Sequence, residues 1–567
     1  MILLTTACVA LASNTITPDY TPRTEPAIGQ WLQPPMLDYE GPSARVGVAA
    51  HHHLGIARVE FYTDGLEGDL NGDGRIDGVD LSDCLAHWDE KGRLLNTILG
   101  NWGMRAPVVA IARNETVDPS NGTRGWFADI DTSLLGTGRI ELSARLIPND
   151  GVVTTLSGDP MIEFSKPGLV MFVNAPRPIA VVPTDYPTIG EAWNAGHEHI
   201  QLLPGEHELS PIGNYGSNRP AIIEGIGKGV VINRGRSQRG LWIYRNITFR
   251  HADPSAQEEW LGNSGPRGMT IWSNCTIDGH STAAPMVNKG TGGPVYLVDC
   301  VITNHFQFYK PRMAIRTWFD GILGDVMKSG FLNIMTDCRL TRHGWKGDHG
   351  NDVPEGTSVH SDFWQSNYTG NAAYREENIV FSYNEAWDGN GGQKVFASFG
   401  NRKGVDARIS GLAFVGNALS SWAGTSSGDD SGNAVLFSLF TAGDNMLFMD
   451  NILFGQCLVG GGADPDDGIY RDPFGRDARK WRNILWSNNY RTSARREYVM
   501  PTIDGPEEFF YVSRRRSVLD FDLRFTIGRD TFPHTSPITG IHYVNETGST
   551  FSSSRKRDYL DNDQLTP

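Results

Sequence analysis

The chain has 567 residues, which is too long for one ordinary hydrophobic core and indicates several domains or a repeat architecture. Its 65 glycines and 31 prolines, together with 10% aromatic residues, are typical of a turn-rich β protein. The 65 acidic residues outnumber the 50 basic ones, and the resulting formal net charge of -15 argues against a nucleic-acid-binding surface.

The first residues form a short apolar run, MILLTTACVALAS, which contains a tripeptide of the type cleaved by signal peptidase, Ala10 to Ala12. No positive residue precedes the run, so it is a weak secretion signal, and it is far too short to span a bilayer. No transmembrane segment is therefore expected. The Pro-rich sequence that follows lacks periodicity, and we expect residues 1–42 to form an extended N-terminal arm.

Residues 43–176 contain short segments of alternating apolar and polar residues, separated by turn residues. Clear examples are GIARVEFYTDG from Gly55 and RIELSARLIP from Arg139, and this pattern predicts a β-sandwich. The region resembles the immunoglobulin-like modules that precede catalytic or adhesive domains in extracellular bacterial proteins. The resemblance implies a spacing or binding module and a location outside the cell or at its surface.

An insertion at residues 66–102 of the predicted sandwich contains DLNGDGRIDGVDLSD, which begins at Asp69. Oxygen donors recur at the offsets with which an EF-hand-like loop wraps one Ca²⁺, and Gly74 allows the sharp turn. An aspartate at the last position makes the loop resemble a dockerin repeat. Dockerins carry two repeats and this sequence has one, so we expect the ion to hold the insertion together. The predicted calcium ligands are Asp69, Asn71, Asp73, Asp77 and Asp80 through their side chains and Arg75 through its carbonyl oxygen.

Farther along the chain, one short phrase recurs: a small polar residue or glycine, an apolar residue, a variable residue and a second apolar residue. The copies follow one another at intervals of about 25 to 40 residues, and this period predicts a solenoid. Each copy has the length and alternation of a strand, so the unit is a β-coil. Stacking of the coils should place the apolar second positions in one interior ladder. The copies begin at Asn246, Asn274, Asp299, Asp337, Asn378, Gly411, Asn451 and Asn483.

The stretch YPTIGEAWNAGHEHIQLLPGEHEL, from Tyr186, indicates a short capping helix and a first coil, and RPAIIEGIGKGVVINR, from Arg219, a second coil. With the repeats, these segments resemble the right-handed parallel β-helix of pectate-lyase-like proteins. The resemblance implies an all-β fold, in which a right-handed parallel β-helix solenoid at residues 177–500 follows the β-sandwich with its inserted EF-hand-like loop. Residues 501–567 are expected to cap the last coil and to end in a polar tail.

The cysteine content does not indicate whether the protein resides in a reducing or an oxidising compartment. The chain has six cysteines, and none of them form a C-x-x-C pair of the zinc-binding type. Three of them, Cys275, Cys300 and Cys338, share the apolar second position of the repeated phrase. Buried cysteine often packs as a small hydrophobic residue, so we predict a structural thiol ladder in preference to disulfides or a metal site.

A functional face is predicted from the second strands of four central coils, AIRTWFD, SVHSDFWQ, KVFASFG and AVLFSLF. The alignment makes Ile315, Val359, Val395 and Val435 one inward ladder, which brings small and aromatic residues into register inside. Because side chains alternate along a strand, the residues between them then point outward. The outward set comprises Arg316, Trp318 and Asp320 on one coil and His360, Asp362 and Trp364 on the next.

This predicted face contains the groups that a sugar-cleaving site requires. Two tryptophans offer platforms for pyranose rings, an arginine can pair with a uronate or sulfate, and a histidine titrates near neutrality. A lyase needs a base and a cation that holds the enolate, whereas a hydrolase needs two carboxyl groups, and both remain open. The adjacent turn RHGWKGDHGND adds further candidates. The predicted catalytic residues are Arg316, His360, Asp362, Lys346 and Asp348, and the predicted substrate-binding residues are Trp318, Trp364, Asp320 and His349.

Polar turns of a β-helix also contain His, Asp and Asn that only satisfy backbone groups, so a structural role is the competing interpretation for each residue. Three functions remain open. The first is a carbohydrate-active protein that cleaves or binds an acidic polysaccharide or a cell-surface glycan. The second is a virion tailspike or adsorption protein, which would form a homotrimer. The third is a non-catalytic extracellular surface fibre or adhesin. No nucleic-acid partner is expected for any of them.

Overall fold

The structure, a computed structural model, describes the parts of the chain that hold the strands. These are residues 25–39, 41–63, 108–135, 137–161, 166–209, 213–214, 220–234, 239–250, 268–279, 294–305, 311–322, 326–328, 332–341, 363–367, 375–386, 396–399, 408–420, 435–439, 442–454, 456–459, 462–463, 470–471, 481–487, 490–492 and 510–511.

The N-terminal domain, residues 25–173, contains ten described strands and a short 3-10 helix at Thr132–Leu134. The strands are β1 (Ile28–Trp31), β2 (Met36–Tyr39), β3 (Ser43–His51), β4 (Ile56–Thr63), β5 (Val108–Ala112), β6 (Thr116–Val117), β7 (Arg124–Asp131), β8 (Gly138–Pro148), β9 (Thr154–Leu156) and β10 (Leu169–Val173). One sheet has the order β1-β3-β7-β6, and the other has the order β2-β10-β8-β4-β5, with β9 beside β8. The pairing of β2 with β10 is parallel, and the other named pairs are antiparallel.

Alternation along the strands explains the core of the N-terminal domain. In β8, Ile140, Leu142 and Ala144 are buried, whereas Glu141 and Arg145 between and beyond them are partly exposed. Buried residues of both sheets belong to one apolar cluster. The β-sandwich arrangement of this domain and its immunoglobulin-like classification stay predictions.

The expectation that residues 1–42 form an extended arm is wrong for the part that contains β1 and β2. Strands β1 and β2 lie inside residues 1–42, and Ile28, Trp31 and Met36 on them are buried. Each of the two strands has only four residues, which is too short for a period-two pattern to stand out in a Pro-rich sequence. The folded domain therefore begins before residue 43.

The remaining described strands form three parallel sheets, here called S1, S2 and S3, and one two-stranded antiparallel sheet. A short helix, α1 (Ile189–Asn194), precedes the first complete coil and is capped by the Thr188 hydroxyl. The strands of S1 are β11 (Ile179–Val182), β12 (His199–Leu202), β15 (Ala221–Gly225), β17 (Arg239–Arg245), β19 (Met269–Ser273), β21 (Val295–Val298), β23 (Pro311–Ile315), β26 (Ile334–Thr336), β29 (Arg375–Ser382), β32 (Arg408–Val415), β35 (Ala442–Met449), β40 (Trp481–Ser487) and β42 (Phe510–Tyr511), with β14 (Gly213–Asn214) beside β17.

The strands of S2 and S3 are also paired in parallel, whereas the fourth sheet is antiparallel. The strands of S2 are β13 (Gly205–Glu208), β16 (Val230–Arg234), β18 (Thr248–Arg250), β20 (Thr276–Asp278), β22 (Val301–His305), β24 (Trp318–Ile322), β27 (Arg339–Thr341), β30 (Glu385–Ala386), β33 (Ala418–Ser420), β36 (Ile452–Phe454) and β41 (Tyr490–Thr492). The strands of S3 are β25 (Met327–Lys328), β28 (Trp364–Asn367), β31 (Phe396–Phe399), β34 (Val435–Leu439) and β37 (Gln456–Val459), and the antiparallel pair is β38 (Gly462–Ala463) with β39 (Tyr470–Arg471).

The predicted all-β class is confirmed. Each strand of S1 and S2 pairs in parallel with the equivalent strand of the next coil, and successive coils enclose one apolar interior. Long parallel sheets joined in this way are compatible with the expected β-helix-like solenoid. In the described residues, no helix has the length and apolar character that a membrane crossing requires.

The turn from S1 to S2 is repeated coil after coil. One residue of each turn has positive φ, and in most coils its N–H donates to a carbonyl of the next coil. These turn residues are Asn246, Asn274, Asp299, Arg316, Asp337, Tyr383, Gly416 and Asp450, with φ between 48° and 67°. The residue after each of them enters the interior, and the interior set is Ile247, Cys275, Cys300, Thr317, Cys338, Asn384, Asn417 and Asn451.

Buried amides complete this interior ladder in the later coils. The Nδ2 of Asn384 donates to Met335 O at 3.0 Å, and its backbone N–H donates to Asn417 Oδ1 at 3.0 Å. Asn417 repeats the pattern with Phe381 O and with Asn451. Each amide therefore satisfies a carbonyl of the coil before it and accepts from the neighbouring rung.

Thiols occupy the same rungs in the earlier coils. The Sγ atoms of Cys275, Cys300 and Cys338 donate to main-chain carbonyls of the preceding coil at 3.3 to 3.5 Å, the partner of Cys338 being Ala314. All three cysteines are free and buried. The predicted structural ladder of thiols is confirmed for these residues, and it continues chemically into the asparagine ladder.

We expect Cys275, Cys300 and Cys338 to resist alkylation in the folded protein. Burial raises the pKa of Cys275 to about 12 and raises the pKa values of the other two thiols as well, so that reactive thiolate is scarce. Iodoacetamide labelling followed by peptide mass spectrometry should modify these sites only after denaturation. Rapid labelling of any of the three in the native protein would contradict the buried ladder.

The N-terminal domain packs on the outer face of S1. Ile28 and Ala49 of that domain share an apolar cluster with residues of S1 that point away from the solenoid interior, such as Ile315 and Val380. Asn378 adds two hydrogen bonds to Gly29, accepting from its N–H at 2.7 Å and donating to its carbonyl at 2.6 Å. The outer face of S1 is thus covered by another part of the same chain.

Candidate functional site

The strand alignment from which the candidate face was predicted is wrong. Ile315 lies in S1 between Val298 and Thr336, whereas Trp364 lies in S3 beside Phe396. The two segments therefore belong to different sheets. Several segments of each coil share the same alternation of apolar residues, so alternation alone does not show which strands are neighbours.

Trp364 is buried, which contradicts its predicted role as an exposed platform. The chain bends at Phe363, and both aromatic rings belong to the interior cluster. The alternation that should have separated them is interrupted at this bend, because strict reversal of side chains holds only along a continuous strand. Trp364 thus contributes to packing.

Arg316 lies in the turn between S1 and S2 and not on an outward strand face. It has a φ of 48°, and its guanidinium donates to Asp299 through Nε at 2.5 Å and through Nη2 at 2.7 Å. Its Nη1 donates to Thr123 Oγ1 of the N-terminal domain at 2.6 Å. These three contacts use all the nitrogens of the guanidinium, so Arg316 helps to hold the two domains together.

Five predicted site residues lie outside the described part of the chain. They are Lys346, Asp348, His349, His360 and Asp362. The calcium loop from Asp69 to Asp80 lies outside it as well, so its Ca²⁺ ligands and these site residues stay predictions. Among the described residues, there is no group of three or more His, Cys, Asp or Glu side chains arranged to hold a metal ion.

Asp337 occupies the same turn position as Arg316 in the next coil, and its buried carboxyl group lies near the contact between the two domains. Burial raises the pKa of Asp337 to about 8, although the guanidinium groups of Arg316 and Arg124 favour the ionised form. The unfolded carboxyl has a pKa of about 3.9. Between these values the folded chain holds a proton that the unfolded chain has released, so stability must fall as pH rises.

We expect Asp337→Asn to remove this pH dependence. From about pH 4 to about pH 8, the wild type should lose up to about 1.4 kcal/mol of unfolding free energy per pH unit through this one group, and the variant should not. Asparagine tolerates the positive φ of 54° at this turn. Urea unfolding of both proteins across this range measures the difference. Parallel stability profiles would show that Asp337 does not titrate in this way.

Two of the predicted site residues do lie together, on the outer side of S2. Phe319 enters the interior, so Trp318 and Asp320 on either side of it point away from the core. Trp318 is partly exposed, and its Nε1 donates to Thr341 Oγ1 at 2.7 Å. That hydroxyl donates in turn to Asp320 Oδ1 at 2.6 Å. The hydrogen-bond chain fixes the orientations of the indole and the carboxylate.

The next coils add two charged residues to the same outward rung. Trp318 pairs with Arg339, and Arg339 pairs with Glu385. The guanidinium of Arg339 lies over the Trp318 ring, 5.1 Å from its centroid, as in a cation–π contact. We call the set Trp318, Asp320, Arg339, Thr341 and Glu385 the Trp318 face.

Arg339 is the most unusual residue of the Trp318 face. Its exposed fraction is 2%, and within the described part of the chain neither its Nε nor its Nη1 has a hydrogen-bond partner. Burial lowers the pKa of Arg339, while the nearby carboxylates of Glu385 and Asp320 act in the opposite direction. A buried donor left without a partner costs about 1 to 3 kcal/mol, and both nitrogens are enclosed by the protein, so neither is open to a ligand in this conformation.

Sequence reasoning missed Arg339 and Glu385. Arg339 is the variable third residue of the phrase at Asp337, and the equivalent residues of earlier copies are Thr248, Thr276 and Val301. An arginine among threonines and a valine on an outward rung was the available signal. Glu385 gave no such signal, because the repeat in its coil was aligned on Asn378.

The chemistry of the Trp318 face is that of a polar binding site. It offers an aromatic ring, donor groups of a guanidinium, and two carboxylates that can accept hydrogen bonds or exchange protons. No protein-family model, no curated protein and no solved structure matches the chain. The assignment of a function therefore depends on these residues alone.

Proposed function

We propose that this protein is an extracellular, carbohydrate-active β-helix protein that binds and cleaves a polysaccharide or cell-surface glycan on the Trp318 face. The single observation that supports the proposal most directly is the partly exposed indole of Trp318, which is held in one orientation by the Thr341 hydroxyl beside the carboxylate of Asp320. Sugars are bound by this combination, since the ring packs on their C–H faces while polar groups take their hydroxyls.

Because the N-terminal domain covers S1, fewer faces of the solenoid are open to a glycan. The N-terminal domain lies on the outer side of S1, so a long glycan cannot lie along that sheet across the covered coils. S2 presents Trp318 and its polar neighbours away from the interior. In the proposal, Asp320 and Glu385 supply the acid–base chemistry of cleavage, and a calcium ion in the Asp69 to Asp80 loop stabilises the N-terminal domain.

A second candidate function is a non-catalytic one, as a tailspike or surface fibre. The observation that favours it is burial, because Asp320, Arg339 and Glu385 are each less than a tenth exposed. A buried polar network of this kind can serve to fix the packing of coils without any ligand. Solution mass tests the tailspike alternative, since a tailspike should be a trimer, and the glycan panel described next tests the surface fibre.

Glycan binding and cleavage test the proposal. The full chain is incubated with a panel of neutral and acidic polysaccharides, and new reducing ends and unsaturated products are measured alongside affinity. Trp318→Ala should weaken binding of the active glycan by at least about tenfold, since one aromatic platform is lost. Arg250→Ala is the control, because Arg250 is an exposed residue of the same sheet three rungs before Asp320.

The outcomes are distinct. Retained folding of both variants, checked by thermal melting, with loss of binding only for Trp318→Ala supports the assigned face. Equal loss in Arg250→Ala would place the ligand elsewhere on S2. Absence of binding and cleavage for every glycan would favour the structural role.

A further inference from the structure

We infer that the Trp318 face binds the end of a glycan chain and not a segment of its interior, an inference that rests on the proposed function. The reason lies in the outward side chains that flank Trp318 along S2. Those on the coils before Trp318 are partly open to solvent, whereas those on the coils after it are enclosed. A bound chain can therefore continue from the indole in one direction only.

Trp318 belongs to a row of outward side chains that are register partners on successive coils of S2. We call eight of them the outer row: Val231, Thr248, Thr276, Val301, Trp318, Arg339, Glu385 and Ala418. Neighbouring strands of a sheet are about 4.8 Å apart, so the outer row is a continuous line of side chains across the sheet.

The exposure of the outer row changes sharply after Trp318. Five successive members, from Val231 to Trp318, are partly exposed. The next three are closed to solvent, with exposed fractions of 2% for Arg339 and 0% for Glu385 and Ala418. Trp318 is thus the last residue of an open strip, whose four coil spacings of about 4.8 Å give a length of about 19 Å.

The two faces of the Trp318 indole differ in the same way. The guanidinium of Arg339 lies over one face, 5.1 Å from the ring centroid. Val301 is the register partner on the opposite side, and its side chain is partly exposed and much smaller than an indole. The face that remains for a pyranose ring is therefore the one toward Val301. A sugar packed there has the closed part of the outer row behind it.

The open strip suits the rest of a short oligosaccharide. Thr276 and Thr248 follow in the direction away from Trp318, and their hydroxyls can donate to and accept from sugar hydroxyls. Glu206, the register partner of Val231 on the coil before it, is exposed. A chain longer than the strip therefore meets no enclosed rung on that side.

A path across the sheet is restricted as well. On the S1 side of Trp318, the Arg316 side chain is only 10% exposed and donates to Thr123 of the N-terminal domain. On the other side, Asp320 is 8% exposed. A chain that crossed the sheet at Trp318 would meet a covered residue on either side. The strip toward Val301 is the direction left for the remainder of the glycan.

Binding stoichiometry tests the inference on the full wild-type chain. Amylose, xylan, polygalacturonate and alginate are each titrated in calorimetry as long chains and as acid-hydrolysed, much shorter fragments, and end-group analysis after each titration counts the chains. A protein that binds chain ends takes up one equivalent per chain at both lengths. Bound protein per gram of glycan should therefore rise in proportion to the number of ends. Binding to internal segments would instead leave bound protein per gram constant.

Val301→Trp tests the direction of the chain. A second indole at this rung would fill the remaining face of Trp318, so affinity for the bound glycan should fall at least about tenfold. Val301→Thr is the matched control, because threonine already occupies this row at Thr276, and its affinity should change by less than about threefold. Thermal melting checks the folding of both variants. The wild-type stoichiometry decides the inference even if Val301→Trp unfolds.

The outcomes separate the inference from the proposed function. Constant binding per gram, with affinity lost in Trp318→Ala, would overturn the inference while the glycan site stands. Unchanged affinity of a natively melting Val301→Trp would overturn it too, since the chain would then lie elsewhere on the face. Failure of every glycan in the panel to bind would overturn both.

Discussion

The N-terminal domain is expected to stay bound to the solenoid after the chain between them is cut. A protease site inserted after Ala175, in the link between β10 and β11, makes this cut possible. The two fragments should co-elute in size-exclusion chromatography at micromolar concentration. A domain that served only as a spacer on a flexible tether would separate at once.

The expected strength of the contact follows from the apolar cluster on the outer face of S1. The cluster contains Ile28, Leu32, Met36 and Ala49 of the N-terminal domain, and its members on the solenoid are all buried. Burial of one large aliphatic side chain contributes about 1.5 to 3 kcal/mol, so even a few of them exceed the stability of a weak transient interface. Polar contacts at Asn378 and Arg316 fix the orientation.

Ile315→Asp is the variant that should break the association. Ile315 is fully buried within this cluster, and a carboxylate there would have to be buried without a partner. We expect a loss of about 3 to 5 kcal/mol, enough to abolish co-elution of the cut fragments. Ile179→Asp is the matched control, since Ile179 lies on the edge strand of the same sheet and is 50% exposed.

Co-elution that survives Ile315→Asp would refute the contribution of the S1 face to docking. Separation of the wild-type fragments would refute the docked arrangement as a whole. The Ile179→Asp control should behave as the wild type in both the chromatography and thermal melting.

Asn417→Ala should destabilise the solenoid strongly. The Asn417 side chain accepts from the N–H and the Nδ2 of Asn384, and it donates to Phe381 O and Asn451 Oδ1. Alanine leaves the Asn384 N–H and the Phe381 carbonyl buried without these partners. At about 1 to 3 kcal/mol for each buried unsatisfied group, the loss should reach about 2 to 6 kcal/mol in urea unfolding.

A thiol at the same rung should recover part of this loss. The Cys338 thiol already donates to the Ala314 carbonyl in the way that Asn417 Nδ2 donates to Phe381 O. Asn417→Cys restores that donor but accepts only weakly from Asn384, so its stability should lie between those of the wild type and Asn417→Ala. Equal stability of the two variants would show that the carbonyl needs no donor at this rung.

Asn149→Ala is the control for both variants. Asn149 also donates to a main-chain carbonyl, that of Leu54, at 2.8 Å, but this hydrogen bond is exposed to solvent. Water can replace the lost donor there, and the expected change is below about 1 kcal/mol. A comparable loss at Asn149 and Asn417 would contradict the special cost of the buried ladder.

The repeated phrase predicted coils correctly but merged different positions of the coil. Its copies at Asn246, Asn274, Asp299 and Asp337 lie at the turn between S1 and S2. Those at Asn378 and Gly411 lie inside long strands of S1, where they also have positive φ. The predicted interior ladder therefore splits: Ile379 pairs with Leu412 in S1, and neither continues the thiols.

The reason is physical. Asn, Asp and Gly are the residues that adopt positive φ at little cost, so a phrase that begins with one marks a bend without saying which bend. The true continuation of the first turn runs through Tyr383, a residue type that gives no such signal. Arg316 occupies the same turn position, and arginine likewise gives no signal for positive φ. The residue was therefore predicted to lie on a strand face.

In the candidate site too, the prediction was correct where it depended on neighbouring residues and failed where it depended on residues far apart in the chain. The alternation around Phe319 correctly placed Trp318 and Asp320 on the outside, because strand periodicity is a local property. The repeated phrase offered a signal for Arg339 but none for Glu385, since segments of unequal length separate the strands of successive coils. Register across such segments depends on which apolar faces fit together in the folded solenoid.

The sequence by itself determined the all-β class, the stacking of coils and the buried thiols, because local alternation marks each strand and a phrase that recurs about every 25 to 40 residues marks each coil. Tertiary structure alone decided which rungs lie side by side, that Trp364 packs inside, and that the N-terminal domain covers S1. These arrangements depend on contacts between residues far apart in the chain, whose selection rests on the total apolar surface that each arrangement buries.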